Sequence, residues 1–258
     1  MERARLAETI RINRYLSLCG IASRRAAEDL VRDGQVKVNG KTVTTLATQI
    51  RPEADRVSVR GVVVHPVRKY RYLVMNKPRD AISTAHDEKG RRTVLSLVRS
   101  DQRLFTVGRL DRNTTGVILL TNDGELAHRL MHPSTRIMKS YIVTCERAVD
   151  PHHLEHLRHG MMLDGKRTAP ADAALLPGSR GRSVGIVLHE GRYRQVRRMF
   201  EALGYAVEKL DRIAYGPIDR RGLRRGESRN LTRSEIRQLK RLAGIEEFPI
   251  TTDRQAGR

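Results

Sequence analysis

From Tyr70 onward the chain is cut into short apolar runs, "YLVMNKP", "GVILLT", "SYIVTCE", "SVGIVLHEG" and "AVEKLDRIAYGPI". Each is short and rich in β-branched or aromatic residues, so each reads as a strand. Between them the spacing predicts helices over Thr93–Arg99, Glu125–Met131, Pro151–His159, Gln195–Leu203 and Thr232–Leu242. A doubly wound sheet needs a helix after every strand at a regular period, and this chain has no such period. The pattern therefore predicts an α+β fold, a mixed, mainly antiparallel β-sheet with flanking helices, over residues 70–248.

Residues 10–65 are organised differently. Ile12, Leu16 and Leu18 share a helical face that stops at Cys19–Gly20. Ser23 is placed to cap a second helix, whose apolar side is Ala26, Ala27, Leu30 and Val31 and whose acidic residues are Glu28 and Asp29. Gly34 ends it as a residue of positive φ. "QVKVNGKTV" then alternates around Asn39–Gly40, a strong hairpin signal. Two helices and a hairpin, with Arg14, Arg24, Arg25, Arg32 and Lys37 outside, make a compact basic module. Residues 66–69, "PVRK", read as a linker, and 249–258 as a flexible polar tail.

Charge narrows the partners. Fifty Lys and Arg against 29 Asp and Glu leave a net charge of +21 over 258 residues. Such an excess favours polyanions through counterion release, nucleic acid above all. No apolar run approaches the roughly 18 residues of a membrane span. The N-terminus alternates charges without a signal peptide's apolar stretch, so the expected location is cytoplasmic. The only cysteines, Cys19 and Cys145, are far apart and suit reduced packing residues. His152, His156 and His159 share a helix face, yet with no cysteine nearby they read as a solvated surface rather than a metal site.

The stretch "VGRLDRNTTGVILLTNDGELAHRL" places one carboxylate, Asp111, between Arg109 and Arg112 at the mouth of an apolar strand. Two readings stand. Beside Asn113 and the Thr-Thr-Gly turn, Asp111 is placed to cap that turn. Bracketed by arginines, it is equally placed to stay ionised and act as a nucleophile. A second carboxylate, Asp123, falls at a helix start and reads as a cap.

"GRLDRNTTGVILLTNDGELAHRL" resembles the catalytic motif of the pseudouridine synthases, in the branch that carries an N-terminal S4 domain and modifies ribosomal RNA. "ASRRAAEDLVRDGQVKVNG" resembles the S4 RNA-binding domain. "YLVMNKPRDAISTAHDEKGRRTVLSLV" resembles that branch's lysine–proline segment, "MHPSTRIMKSYIV" its tyrosine segment and "EGRYRQVRRMFEALGYAVEKLDRIAYGPI" its arginine-bearing motif. Asp80 departs from the pattern, standing where the family often has glycine. The resemblance covers about Ile12 to Gly244 and implies isomerisation of a uridine in ribosomal RNA after its base is flipped out. It places the catalytic aspartate at Asp111, attacking sugar or base or assisting departure of the base. Tyr141 packs on the target base, and Arg197 forms a buried ion pair with Asp111. It implies that Arg109 helps hold the RNA open and that no cofactor is needed. Lys77, Arg192 and Arg194, with Arg24, Arg25 and Lys37 of the first module, are further expected RNA contacts, and a monomer is expected.

"HDEKGRRTVLSLV" and "GELAHRLMHPS" are more similar to the large-subunit (23S) members than to the small-subunit (16S) ones. A 16S enzyme is the alternative target, and a non-catalytic S4-type ribosome-assembly protein the alternative class. A mere binder has no reason to keep Asp111, Tyr141 and Arg197 in family order.

Overall fold

The computed structural model describes residues 9–67, 69–84, 87 and 89–245, so the expected tail 249–258, residue 68 of the linker and part of "HDEKG" lie outside the described residues. The chain forms two compact units. One holds the residues up to Arg71 with Ser100–Leu104, and the other holds Tyr72–Arg99 with the chain from Phe105 onward.

In the first unit the helices Ile12–Leu18 and Arg24–Arg32 pack on one core of Ile12, Tyr15, Leu16, Ala27, Val31, Val36, Ile50 and Val57. Ser23 Oγ accepts from Ala26 N–H at 3.1 Å, the expected cap. Asn39 and Gly40 both take positive φ, 50° and 83°, as a tight hairpin turn of matching twist requires. The hairpin strands Val36–Val38 and Lys41–Val43 are one half of a four-stranded antiparallel sheet completed by Val57–Val59 and Val62–Val63. The module is thus larger than two helices and a hairpin. Ala26 is exposed, because Ala27 and Val31, four apart, form the buried stripe. Burial pushes the Cys19 thiol up to about 12 and that of Cys145, in the other unit, up to about 11; both are inert packing groups.

The second unit is built on one sheet. Its strand order is Asp172–Leu175, Ser183–Leu188, Lys139–Cys145, Val207–Tyr215, Thr114–Thr121, Tyr72–Lys77 and Ser228–Asn230. Phe105–Val107 and Ile218–Asp219 add to it at the side. Among the described residues every strand pairing in it is antiparallel except that of Val207–Tyr215 with Thr114–Thr121. Parallel strands begin at the same end of a sheet, so the segments that lead into these two arrive together. Leu210 lies opposite Thr114. Three residues upstream on each side stand Val207 and Asp111.

Across this junction one row of register partners runs Lys77, Gly116, Arg212, Tyr141 and Ile186. Gly116 is required there. Its φ is +107°, and a Cβ would lie 2.1 Å from the Arg212 carbonyl oxygen. The expected Thr-Thr-Gly turn is therefore the start of the Thr114–Thr121 strand, and the turn proper is Asp111–Thr114.

The helices Gly124–Met131, Pro151–His159, Gln195–Ala202 and Arg233–Leu242 match the expected ones. Asp123 caps the first, accepting from Leu126 N–H at 3.0 Å, and Thr232 with Glu235 forms a reciprocal capping box on the last. Thr93–Arg99 is a correction, since it holds only a single 3-10 turn, Leu95–Leu97. Thr93 Oγ1 accepts from Ser96 N–H at 3.1 Å and Ser96 Oγ donates to Thr93 O at 2.9 Å, closing that one turn.

Candidate active site

The Asp111 turn closes through its own backbone. Thr114 N–H donates to the Asp111 carbonyl at 3.0 Å, so the turn does not need the carboxylate. The carboxylate, half-buried, takes no part in that bond. Arg112 does not bracket it. Arg112 Nε instead donates to Asp80 at 3.1 Å, in an exposed pair. Asp80 adopts φ +66°, a left-handed conformation that glycine takes freely and aspartate tolerates, which accounts for the departure from the pattern.

Lys77 braces the turn from within. It is fully buried and donates to the carbonyls of Pro78 (3.1 Å), Arg112 (3.1 Å) and Thr114 (2.7 Å). Burial draws its ammonium down to about 8, opposed by the charges of Asp111 and Asp80. At neutral pH it keeps its three protons for three acceptors. Lys77 as an RNA contact is corrected: no proton remains to meet a phosphate, because the carbonyls of a tight turn have taken them all. Lys77→Met keeps the volume but removes the donor from three carbonyls; that of Arg112 keeps Asp80 N–H at 3.0 Å, which leaves those of Pro78 and Thr114 short of a partner at about 1–3 kcal/mol each. The expected result is a melting temperature lower by roughly 5–10 °C and slower turnover with RNA affinity nearly unchanged. Wild-type melting and turnover with weak RNA binding would return Lys77 to the RNA-contacting set.

Arg197 lies on the first turn of Gln195–Ala202 and is 7% exposed. Its Nη1 donates to Val207 O at 2.8 Å and its Nη2 to Asn113 O at 3.4 Å, while Nε is buried with no partner among the described residues. The guanidinium thus spans the two segments that enter the parallel junction. The expected contact ion pair with Asp111 is not formed, because backbone carbonyls hold both terminal nitrogens. The two still interact at longer range. Burial and then the nearby Arg194 pull the Arg197 guanidinium down from its ordinary value, and Asp111 pushes it back up.

Tyr141 is 9% exposed, on Lys139–Cys145, at a bulge between Ser140 and Tyr141 and opposite Arg212. Arg109, Arg194, Arg24, Arg25 and Lys37 are exposed. Arg24 and Arg25 occupy the first turn of their helix, where the macrodipole disfavours cations and no acidic residue compensates. Arg192 differs: its guanidinium donates to Lys166 O (3.2 Å), Arg167 O (2.5 Å) and Glu190 (3.4 Å), so much of it serves the loop. His152, His156 and His159 are exposed.

Two charged groups escaped the sequence reading. Arg212, 2% exposed, donates from Nε to Val117 O at 2.7 Å and lies 5.2 Å from the Tyr215 ring centroid. Asp211, opposite Thr115, accepts from Thr115 Oγ1 and pairs with Arg225, both at 2.8 Å, stitching the 220–227 loop to the strand behind Asp111. Both sit in "EKLDRIAY", where charged residues inside an apolar strand were the available signal.

A family model described as RNA pseudouridylate synthase matches residues 71–202, and the S4 domain model matches 10–57. Ribosomal large subunit pseudouridine synthase B of Bacillus subtilis is 42% identical over 237 residues, covering 90% of this chain and 96% of that protein. An uncharacterized RNA pseudouridine synthase of Mycobacterium leprae is 44% identical over 244 residues, covering 93% and 95%. A crystal structure of a pseudouridylate synthase superposes with a TM-score of 0.66 at 31% identity, covering 89% and 99%. An S4 unit followed by this sheet, matched by both family models and by relatives of 42% and 44% identity along nearly their whole length, places the chain in the RNA pseudouridine synthase family.

Proposed function

We propose that this enzyme converts one uridine of large-subunit (23S) ribosomal RNA to pseudouridine, acting as a monomer on RNA alone or in an assembling particle. The observation that carries the reading is Asp111, a carboxylate whose turn is closed by backbone and braced by buried Lys77, with Arg197 within electrostatic reach. The large-subunit address rests on the Bacillus subtilis relative and on the motif segments that resemble large-subunit members.

In this mechanism the target nucleotide leaves its stack, at a cost of a few kcal/mol that basic side chains such as Arg109 and Arg194 help offset. Asp111 presents its carboxylate to the flipped nucleotide. The N1–C1′ bond breaks, the base turns, C5 bonds to C1′, and the proton lost from C5 is balanced by one gained at N1. Tyr141 packs on the base, and Arg197 holds the Asp111 turn in register with the strand that begins at Val207. Arg24, Arg25 and Lys37, in the unit proposed to span 10–65, grip phosphate and take no part in the bond changes.

Mapping pseudouridine in 16S and 23S rRNA from cells with and without the protein tests this directly. One 23S pseudouridine is expected to vanish with the protein. A loss confined to 16S rRNA, or no loss, refutes it.

A further inference from the structure

Tyr193 is 77% exposed, more so than any other large hydrophobic side chain among the described residues. It sits between Arg192 and Arg194, just before the helix that carries Arg197. An exposed ring on a slack loop would mean little. This loop is built.

Gln195, 3% exposed, accepts from Arg192 N–H at 2.9 Å and donates to Glu190 at 2.5 Å. Arg192 is tied to the carbonyls of Lys166 and Arg167. Arg198 Nη1 donates to the carbonyl of Tyr193 itself at 3.2 Å. Arg194 takes φ +47°, which disfavours any residue with a Cβ and persists only where surroundings impose it. The backbone is thus held on both sides of a ring that points into water. A preorganised aromatic loses little freedom when it finds a partner.

The neighbourhood says what that partner is. Arg194, adjacent to Tyr193, and Arg79 each act on the Arg197 guanidinium through their charge. Both are exposed cations. An exposed ring on a held backbone beside the exposed Arg194, in a chain of net charge +21, suits a nucleobase with its flanking phosphate. When a uridine leaves its stack, its neighbour in the strand loses a stacking surface.

We propose that Tyr193 supplies that surface, stacking on an unpaired base of the substrate RNA beside the flipped nucleotide. This rests on the reading of the protein as a base-flipping pseudouridine synthase.

The chain has no tryptophan, so Tyr193→Trp installs a single fluorescent reporter at this position. With in vitro transcribed 23S and 16S rRNA as probes, its emission is expected to be quenched in step with binding followed by anisotropy of labelled RNA. Tyr193→Ala is expected to raise the RNA dissociation constant roughly tenfold, with Tyr193→Phe close to wild type. Because no charge is removed, the slope of log K against log salt stays unchanged, unlike that of an arginine variant. An unaltered dissociation constant in Tyr193→Ala, or indole emission from Tyr193→Trp that stays flat while RNA binds fully, overturns the proposal. Pseudouridine formation by the wild-type protein on the same two transcripts reports separately on the underlying reading.

Discussion

Asp111→Asn is expected to remain folded, bind RNA with wild-type affinity and form no detectable pseudouridine, a loss of at least about 10⁴-fold. The turn around residue 111 is closed by Thr114 N–H on a backbone carbonyl, and asparagine leaves that bond untouched. Lys77 likewise binds carbonyls of Pro78, Arg112 and Thr114 rather than the Asp111 carboxylate. Stability should therefore change by less than about 1 kcal/mol. What asparagine cannot do is present an ionised oxygen to carbon. The measurement is pseudouridine content of rRNA incubated with each protein, beside a melting curve. Product at wild-type rate from a folded Asp111→Asn protein would return Asp111 to an ordinary turn residue.

Arg197→Ala is expected to cut single-turnover rate by on the order of a hundredfold or more, the scale for misplacing a reacting group by about 1 Å. Arg197 donates to Val207 O on one strand and Asn113 O in the Asp111 turn, so its loss uncouples the two segments at the parallel junction. It faces the interior and should contribute little to RNA affinity. Arg197→Lys should rescue only in part, because one ammonium cannot reproduce a planar fork that spans two acceptors. Arg194→Ala is the contrast: exposed and near the same site, it should raise the RNA dissociation constant and leave the bound rate nearly intact. Equal effects of Arg197→Ala and Arg194→Ala on the single-turnover rate would show that the two arginines do one job.

Much of the first unit was legible because its signals are local. Ser23, Gly34 and Asn39–Gly40 each act over a few residues, and each does in the structure what its chemistry suggests. The strands at Tyr72, Lys139, Ser183 and Val207 were legible for the same reason, since a short β-branched run has few other ways to bury itself. The misreadings share the opposite character. Lys77 looks like any basic residue beside a proline, and only the fold shows three carbonyls closing around it. Arg192 looks like its neighbour Arg194, yet the former is turned inward to Lys166 and Arg167. Thr114–Gly116 has the composition of a turn, but the approach of the Arg212 backbone makes it a strand with a glycine where no side chain fits. Thr93–Arg99 carries a start signal, with Thr93 accepting from Ser96 N–H, yet the chain is already extended at Val98 after the single turn Leu95–Leu97.

The sequence by itself determined the parts: an α+β chain, an RNA-seeking charge, a capped helical module, and an aspartate, a tyrosine and an arginine in a recognisable order. Periodicity, capping and net charge are properties of neighbouring residues or of the sum, so they survive without coordinates. The tertiary structure alone decided which of those parts meet. Asp111 and Arg197 are 86 positions apart by number, and nothing local links them. They converge because Thr114–Thr121 and Val207–Tyr215 are the parallel pair in an otherwise antiparallel sheet, so both strands start at the same end. With Thr114 opposite Leu210, the residues that precede each strand arrive level, and Arg197 joins them through one carbonyl from each side.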